Sequence, residues 1–138
     1  MAPITCFMLF FLKNLAALHS LEITGIATGQ GRVQVAVFAS ADSFLDEKRY
    51  FKLLGQPVAD GQKSMAFALD LPPGEYAISA FHDENGNGKL DKNWFGIPTE
   101  AYGFSNNFIA KWGKPTWEKT HFTVKNDGGR LTINLEKW

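Results

Sequence analysis

After residue 20 the chain consists of short runs in which apolar and polar side chains alternate, separated by glycine, proline, asparagine and aspartate. Such alternation places one apolar face on each strand. No long amphipathic helix pattern interrupts these runs, which disfavours a parallel βαβ fold. The sequence therefore predicts an all-β protein, an antiparallel β-sandwich of about seven strands with one long loop insertion from about His82 to Thr116. The clearest runs are 21–26, 32–38, 63–69 and 75–81.

Two local patterns predict further detail. The runs 119–124 and 130–135 flank an Asn-Asp-Gly-Gly turn, which is typical of a β-hairpin. The segment 42–54 is less regular, and Asp42 or Ser43 could cap a short helix there.

Length and charge limit the function classes. With 138 residues and 15.3 kDa, the chain is large enough for one domain, which we place at 21–138. Lys and Arg together number 14, as do Asp and Glu, and no basic block stands out. Because nucleic-acid affinity depends on neutralising phosphates, this balance argues against a nucleic-acid partner.

Residues 1–20 differ from the rest of the chain. The apolar run 4–12 is too short to span a bilayer but has the length of a signal-peptide core, and the small residues Ala16 and Ala17 follow it. We therefore predict a signal peptide over 1–20 and a periplasmic or secreted protein that does not span the membrane after cleavage. The alternatives are a buried first strand or a misassigned start. Cleavage would remove Cys6, the only cysteine, so no disulfide is expected.

The segment 82–91, His-Asp-Glu-Asn-Gly-Asn-Gly-Lys-Leu-Asp, has the spacing of a calcium-binding loop. Oxygen-bearing side chains recur at alternate positions, and Gly88 permits the sharp turn that brings the later ligands round. Calcium prefers six to eight hard oxygen ligands. We therefore predict a Ca²⁺ site whose ligands are the side chains of Asp83, Asn85, Asn87 and Asp91 and the main-chain carbonyl of Lys89.

The loop departs from an EF-hand at its twelfth position, where Trp94 replaces the bidentate glutamate, and a strand precedes it instead of a helix. Glu100 or Glu84 would complete the coordination shell from outside the spaced positions. Two carboxylates within the loop imply a dissociation constant on the order of 10⁻⁴–10⁻³ M, as in extracellular modules. The alternative is a plain turn with solvated Asp83 and Asp91.

Three segments of the sequence together form a specific motif. The loop 82–91, followed by 96–107 (Gly-Ile-Pro-Thr-Glu-Ala-Tyr-Gly-Phe-Ser-Asn-Asn) and preceded by 71–77 (Leu-Pro-Pro-Gly-Glu-Tyr-Ala), resembles a family of bacterial proteins catalogued as domain of unknown function 2141. The resemblance implies a Greek-key, prealbumin-like (transthyretin-like) sandwich and an exported protein. It implies no activity.

Aromatic residues crowd the insertion. Trp94, Tyr102 and Trp112 could stack on sugar faces, which would make the protein a carbohydrate-binding module. The sequence favours the alternative, in which the rings of this segment are buried over one end of the sandwich, because large rings more often supply core area.

The sequence around Ser105 matches a catalytic motif only in part. Ser105 lacks the second glycine of a G-x-S-x-G elbow, and the chain ends Leu-Glu-Lys-Trp, unlike the Tyr-Arg-Gly-Ser ending of transthyretin-like hydrolases. We therefore predict a non-enzymatic protein with a structural or ligand-binding role, and a small hydrolase as the least favoured alternative. A cell-envelope protein or a glycan would be its partner.

Overall fold

The structure is a computed structural model and describes residues 19–138, apart from the side chain of Trp112. In this range it contains eight strands, one four-residue helix and two short 3₁₀ turns. The strands are β1 (His19–Thr24), β2 (Arg32–Phe38), β3 (Lys52–Pro57), β4 (Ser64–Leu69), β5 (Gly74–Asp83), β6 (Tyr102–Phe104), β7 (Phe122–Val124) and β8 (Gly129–Asn134). The 3₁₀ turns span Ser105–Asn107 and Ala110–Trp112, and the helix α1 spans Trp117–Thr120.

The strands form two sheets. The small sheet has the order β4-β1-β8, and the large sheet has the order β3-β2-β5-β6. Strand β7 also belongs to the large sheet, because it pairs with the first three residues of β5 while β6 pairs with later ones. The prediction of an all-β protein is confirmed.

One apolar core lies between the sheets. Alternate side chains of the small sheet (Leu21, Ile23, Met65, Phe67, Leu69, Ile133) and of the large sheet (Val33, Val35, Val37, Ile78, Ala80) join a single buried cluster. Burying each large aliphatic side chain contributes about 1.5–3 kcal/mol, so this cluster is the main source of stability.

Two sequence predictions are wrong at the C-terminal end of the chain. The runs around residues 126–129 do not form a hairpin, because β7 pairs with β5 in the large sheet and β8 crosses to the small sheet. There β8 runs parallel to β1, so the sheets are not wholly antiparallel. The apolar side chains of β8 pack in the core between the sheets, and this packing with distant parts of the chain outweighs the local turn signal.

The predicted short helix after Asp42 is also wrong. Residues 41–45 form turns, and Leu45 has a positive φ of 62°. A left-handed residue cannot continue a right-handed helix. At the other end, β1 begins at His19, within the predicted leader, and residues 1–18 lie outside the described part of the chain.

Candidate functional site

The candidate loop begins where β5 ends, at Asp83, whose side chain is fully buried. One carboxylate oxygen accepts the main-chain N–H of Asn87 at 3.2 Å, and the other accepts that of Gly88 at 2.8 Å. Gly86 and Gly88 have φ values of 69° and 80°, which glycine adopts without strain. The loop therefore curls around the carboxylate of Asp83, which is not a solvated side chain.

Three other predicted ligands converge. The side-chain amides of Asn85 and Asn87 donate to the two carboxylate oxygens of Asp91, at 2.5 and 2.7 Å. Each asparagine also accepts, through Oδ1, the N–H two residues further on, at 3.2 Å for Asn87 and 2.9 Å for Lys89. These local bonds hold the side chains of Asn85 and Asn87 on the same side of the loop as that of Asp91.

Glu100 closes the loop from outside. It is 4% exposed, and its two carboxylate oxygens accept the main-chain N–H groups of Glu84 at 2.8 Å and of Asp91 at 2.9 Å. It therefore ties together the two ends of the loop. Both carboxylate oxygens of Glu100 already accept main-chain N–H groups, so in this structure Glu100 holds the loop closed. Binding a metal ion would be a second role for the same oxygens.

The oxygen set is compatible with a hard cation. A small polar pocket of about 370 Å³ lies beside the loop and is lined by Gln30, Glu84, Asn85, Asp91, Thr99 and Glu100. Amide oxygen and nitrogen have nearly the same shape, so a half-turn of the Asn85 and Asn87 amides would present oxygens towards Asp91, with loss of the bonds that these oxygens now accept from the N–H groups of Asn87 and Lys89. In residues 19–138 no three acidic, histidine or cysteine side chains are gathered at metal-binding distance. The predicted loop supplies only two carboxylates and relies on amide and carbonyl oxygens for the rest.

The loop rests on a neighbouring turn that the sequence did not reveal as part of the site. The buried ring of His82 bonds through Nε2 to the carbonyl of Gln30 at 2.6 Å. Gly31 has a φ of 74°, and a Cβ there would lie 2.0 Å from the main-chain oxygen of Asp83. The 28–31 turn therefore fits against the base of the loop only because residue 31 is glycine.

An apolar groove of about 440 Å³ lies on the outer face of the large sheet. One wall is the 88–90 part of the loop, and the other comes from the segment that follows β2, where Leu45 keeps its strained backbone while its side chain is 39% exposed. Positive φ at a residue other than glycine costs about 1 kcal/mol and often marks functional surfaces. The main apolar lining residues are Phe38, Leu45, Tyr50, Leu53, Phe81 and Leu90.

Of the predicted sugar-binding rings whose side chains the structure describes, Tyr102 lines the groove and Trp94 does not. Trp94 is 96% exposed and its neighbour Phe95 is 83% exposed, so the expectation that the rings of this segment are buried is wrong for these two. Tyr102 is half-buried on the groove wall, 6.0 Å from the ring of Phe104, and burial raises the pKa of its phenol. The side chain of Trp112 lies outside the described part of the chain.

The side chain of Ser105 links two elements of the fold. Its buried hydroxyl donates to the carbonyl of Thr120 at 2.5 Å and accepts the N–H of Ile78 at 2.9 Å. It joins β5 to the end of α1.

No helix in residues 19–138 has the length and apolar character needed to cross a bilayer. No curated protein and no solved structure matches the chain. One family model matches residues 21–132, which is most of the sequence. This chain therefore belongs to the family described as "Uncharacterized protein conserved in bacteria (DUF2141)".

Proposed function

We propose that this protein is an exported, non-enzymatic β-sandwich protein that binds one Ca²⁺ in the loop 83–91 and has a structural or ligand-binding role. We also propose that its two sheets follow the Greek-key, prealbumin-like arrangement. The convergence of Asn85 and Asn87 on the carboxylate of Asp91, in a loop that also holds the buried carboxylate of Asp83, is the observation that supports the calcium site most strongly.

Charge and ligand type favour calcium. Asp83 and Asp91 together supply two negative charges, which match a divalent cation, and the remaining ligands would be neutral oxygens. A loop with so few charges binds with a dissociation constant on the order of 10⁻⁴–10⁻³ M, which suits a calcium-rich extracellular compartment. Bound calcium would replace the amide hydrogens that now face Asp91.

The position of the loop explains what an ion would do for the rest of the molecule. The carbonyl of Asp91 accepts the N–H of Thr99 at 2.8 Å, which anchors the segment between them. On the other side, Lys89 and Leu90 form part of the groove wall. Fixing the loop would therefore also fix one wall of the groove, which is the feature that supports a ligand-binding role.

The test is calcium titration followed by thermal unfolding. At tenfold excess over the dissociation constant, the ion should stabilise the fold by about 1.4 kcal/mol. For a domain of this size that is a rise in Tm of about 5 °C. The variant Asp91→Asn keeps the side-chain shape but removes one charge, so it should lose most of this rise. Asp127→Asn, an exposed aspartate outside the loop, is the matched control.

Asp83→Ala is the less informative variant. Because Asp83 holds two main-chain N–H groups, its loss should destabilise the fold even in chelator. The calcium proposal fails if millimolar Ca²⁺ leaves the Tm of the native protein unchanged, or if Asp91→Asn retains the full shift.

Carbohydrate recognition through Trp94, Tyr102 and Trp112 stays a prediction. Tyr102 borders the groove whereas Trp94 does not, so no single surface for the two rings supports it. A glycan array would test it, with Trp94→Ala as the control that must abolish any signal. A small hydrolase also stays a prediction, to be tested with generic ester and amide substrates.

A further inference from the structure

The aromatic turn, residues 93–97, projects two neighbouring rings into solvent. Asn93 organises the turn, because its side-chain oxygen accepts the N–H groups of Phe95 at 2.9 Å and of Ile97 at 3.1 Å. The N–H of Asn93 donates to the carbonyl of Ile97 at 2.8 Å, and the N–H of Gly96 donates back to the carbonyl of Asn93 at 2.9 Å. Four hydrogen bonds within five residues hold the turn in one conformation.

The rings at the tip of this turn have almost no intramolecular contact. Trp94 is 96% exposed and Phe95 is 83% exposed, the two highest values among the large apolar side chains that the structure describes. Neither ring lines the groove or the polar pocket. Two adjacent large rings held in water by a well-bonded turn indicate a contact surface, because isolated exposed apolar side chains are ordinary but a preorganised pair is not.

Two exposed lysines lie just before the turn in the sequence. Lys89 and Lys92 are exposed on either side of Asp91, and neither forms an ion pair in residues 19–138. The carboxylate of Asp91 is half-buried and accepts the amides of Asn85 and Asn87. The turn and the segment just before it therefore present two exposed aromatic rings and two exposed lysines, of which Lys92 is bridged through its main chain to Pro98 beside the turn and Lys89 lies on the groove wall.

We propose that the aromatic turn docks on an anionic lipid surface, with the rings of Trp94 and Phe95 in the headgroup region and the ammonium groups of Lys89 and Lys92 near lipid phosphates. Tryptophan prefers this interface because its ring is apolar while its N–H remains hydrated. Lysine is attracted to the negative surface potential. A sugar platform would instead combine an exposed ring with hydrogen-bonding groups in a cleft, and these two rings lie outside both cavities described beside the loop.

The turn is closed by its own hydrogen bonds, so we expect lipid binding without calcium. The experiment is co-sedimentation of the purified protein, in chelator, with vesicles of phosphatidylcholine and phosphatidylglycerol and with vesicles of phosphatidylcholine alone. The native protein should bind the anionic vesicles more tightly, and its binding should weaken as salt rises.

Two variants and one control test the residues. Trp94→Ser combined with Phe95→Ser should reduce binding at least about tenfold, since membrane affinity scales with the apolar area inserted. Replacing Lys89 and Lys92 by glutamine should reduce it about fivefold per lysine. Ile109→Ser is the control, because Ile109 is 55% exposed but lies outside the turn, and it should leave binding unchanged.

Three results would overturn the inference. One is no binding of the native protein to anionic vesicles. Another is full binding by the Trp94 and Phe95 double variant. The third is retention by an immobilised polysaccharide through Trp94 without vesicle binding, which would identify a glycan as the occupant. Because the assay contains no calcium, these results are separable from failure of the calcium proposal, which is read from the Tm shift.

Discussion

Replacing Glu100 by glutamine tests whether this side chain closes the candidate loop. Its two carboxylate oxygens accept the N–H groups of Glu84 and Asp91, at opposite ends of the loop. Glutamine can accept only one of these hydrogens, and its NH₂ group would face the other N–H. The variant should therefore lose one bond, weaken the second and leave a main-chain donor without an acceptor.

The expected cost follows from the two bonds. A hydrogen bond to a charged group contributes about 1.5–3 kcal/mol, and an unsatisfied buried donor costs about 1–3 kcal/mol. Removing the charge of a side chain that is only 4% exposed recovers part of its desolvation penalty. The net loss should be about 2–3 kcal/mol, which for a domain of this size lowers Tm by about 10 °C.

Urea unfolding in chelator, with circular dichroism as the readout, measures this loss directly. Glu75→Gln is the matched control, because Glu75 is exposed on β5 and away from the loop, and it should change the free energy of unfolding by less than about 0.5 kcal/mol. If Glu100→Gln costs no more than this control, Glu100 does not hold the loop closed and the reasoning is refuted.

Three further predictions concern Gly31, Ser105 and Tyr76. Gly31→Ala should destabilise the fold by about 3 kcal/mol or more, because its Cβ would meet the main-chain oxygen of Asp83; Gly61→Ala has a similar positive φ but open space and should cost about 1 kcal/mol. Equal losses would contradict the close approach. Ser105→Ala should cost about 2 kcal/mol in urea unfolding, because the buried N–H that it accepts from β5 is left unpaired, and a neutral result would show that another acceptor replaces it. Burial raises the pKa of Tyr76, so the folded state keeps the phenol proton longer than the unfolded chain. The free energy of unfolding should therefore fall as pH rises above the ordinary phenol pKa of about 10, and Tyr76→Phe should remove part of that slope.

Local patterns were enough to predict the strands that carry the core. The alternation in 32–38 and 63–69 corresponds closely to β2 and β4, because each of these strands has one face buried in the core. Strands β3 and β6 were missed. Most residues of β3 are of intermediate burial, and β6 is only three residues long. Neither strand therefore shows a clear alternation of buried and exposed side chains.

Pairing could not be predicted from the local sequence. The Asn-Asp-Gly-Gly turn is a strong local hairpin signal, yet β7 and β8 pair with different sheets. Which edge a strand joins depends on the other strands available in the folded molecule, and these are distant in sequence. The same holds for the groove, whose walls come from segments after β2 and after β5.

The loop was predictable because its geometry is local. Alternating oxygens and well-placed glycines determine that Asn85, Asn87 and Asp91 converge, and the structure brings them together. The role of Glu100 in binding main-chain N–H groups could not be inferred, because it depends on how the chain returns nine residues after Asp91. The exposure of Trp94 was also missed, since ring content alone does not show which rings a loop buries.

A crystal structure of the protein grown with saturating calcium tests the central claim most directly. The account predicts one ion held by oxygens of Asp83, Asn85, Asn87 and Asp91 and by the carbonyl of Lys89, at about 2.3–2.6 Å. It would be contradicted by an ordered loop in which the amides of Asn85 and Asn87 still donate to Asp91 and no ion lies among these oxygens.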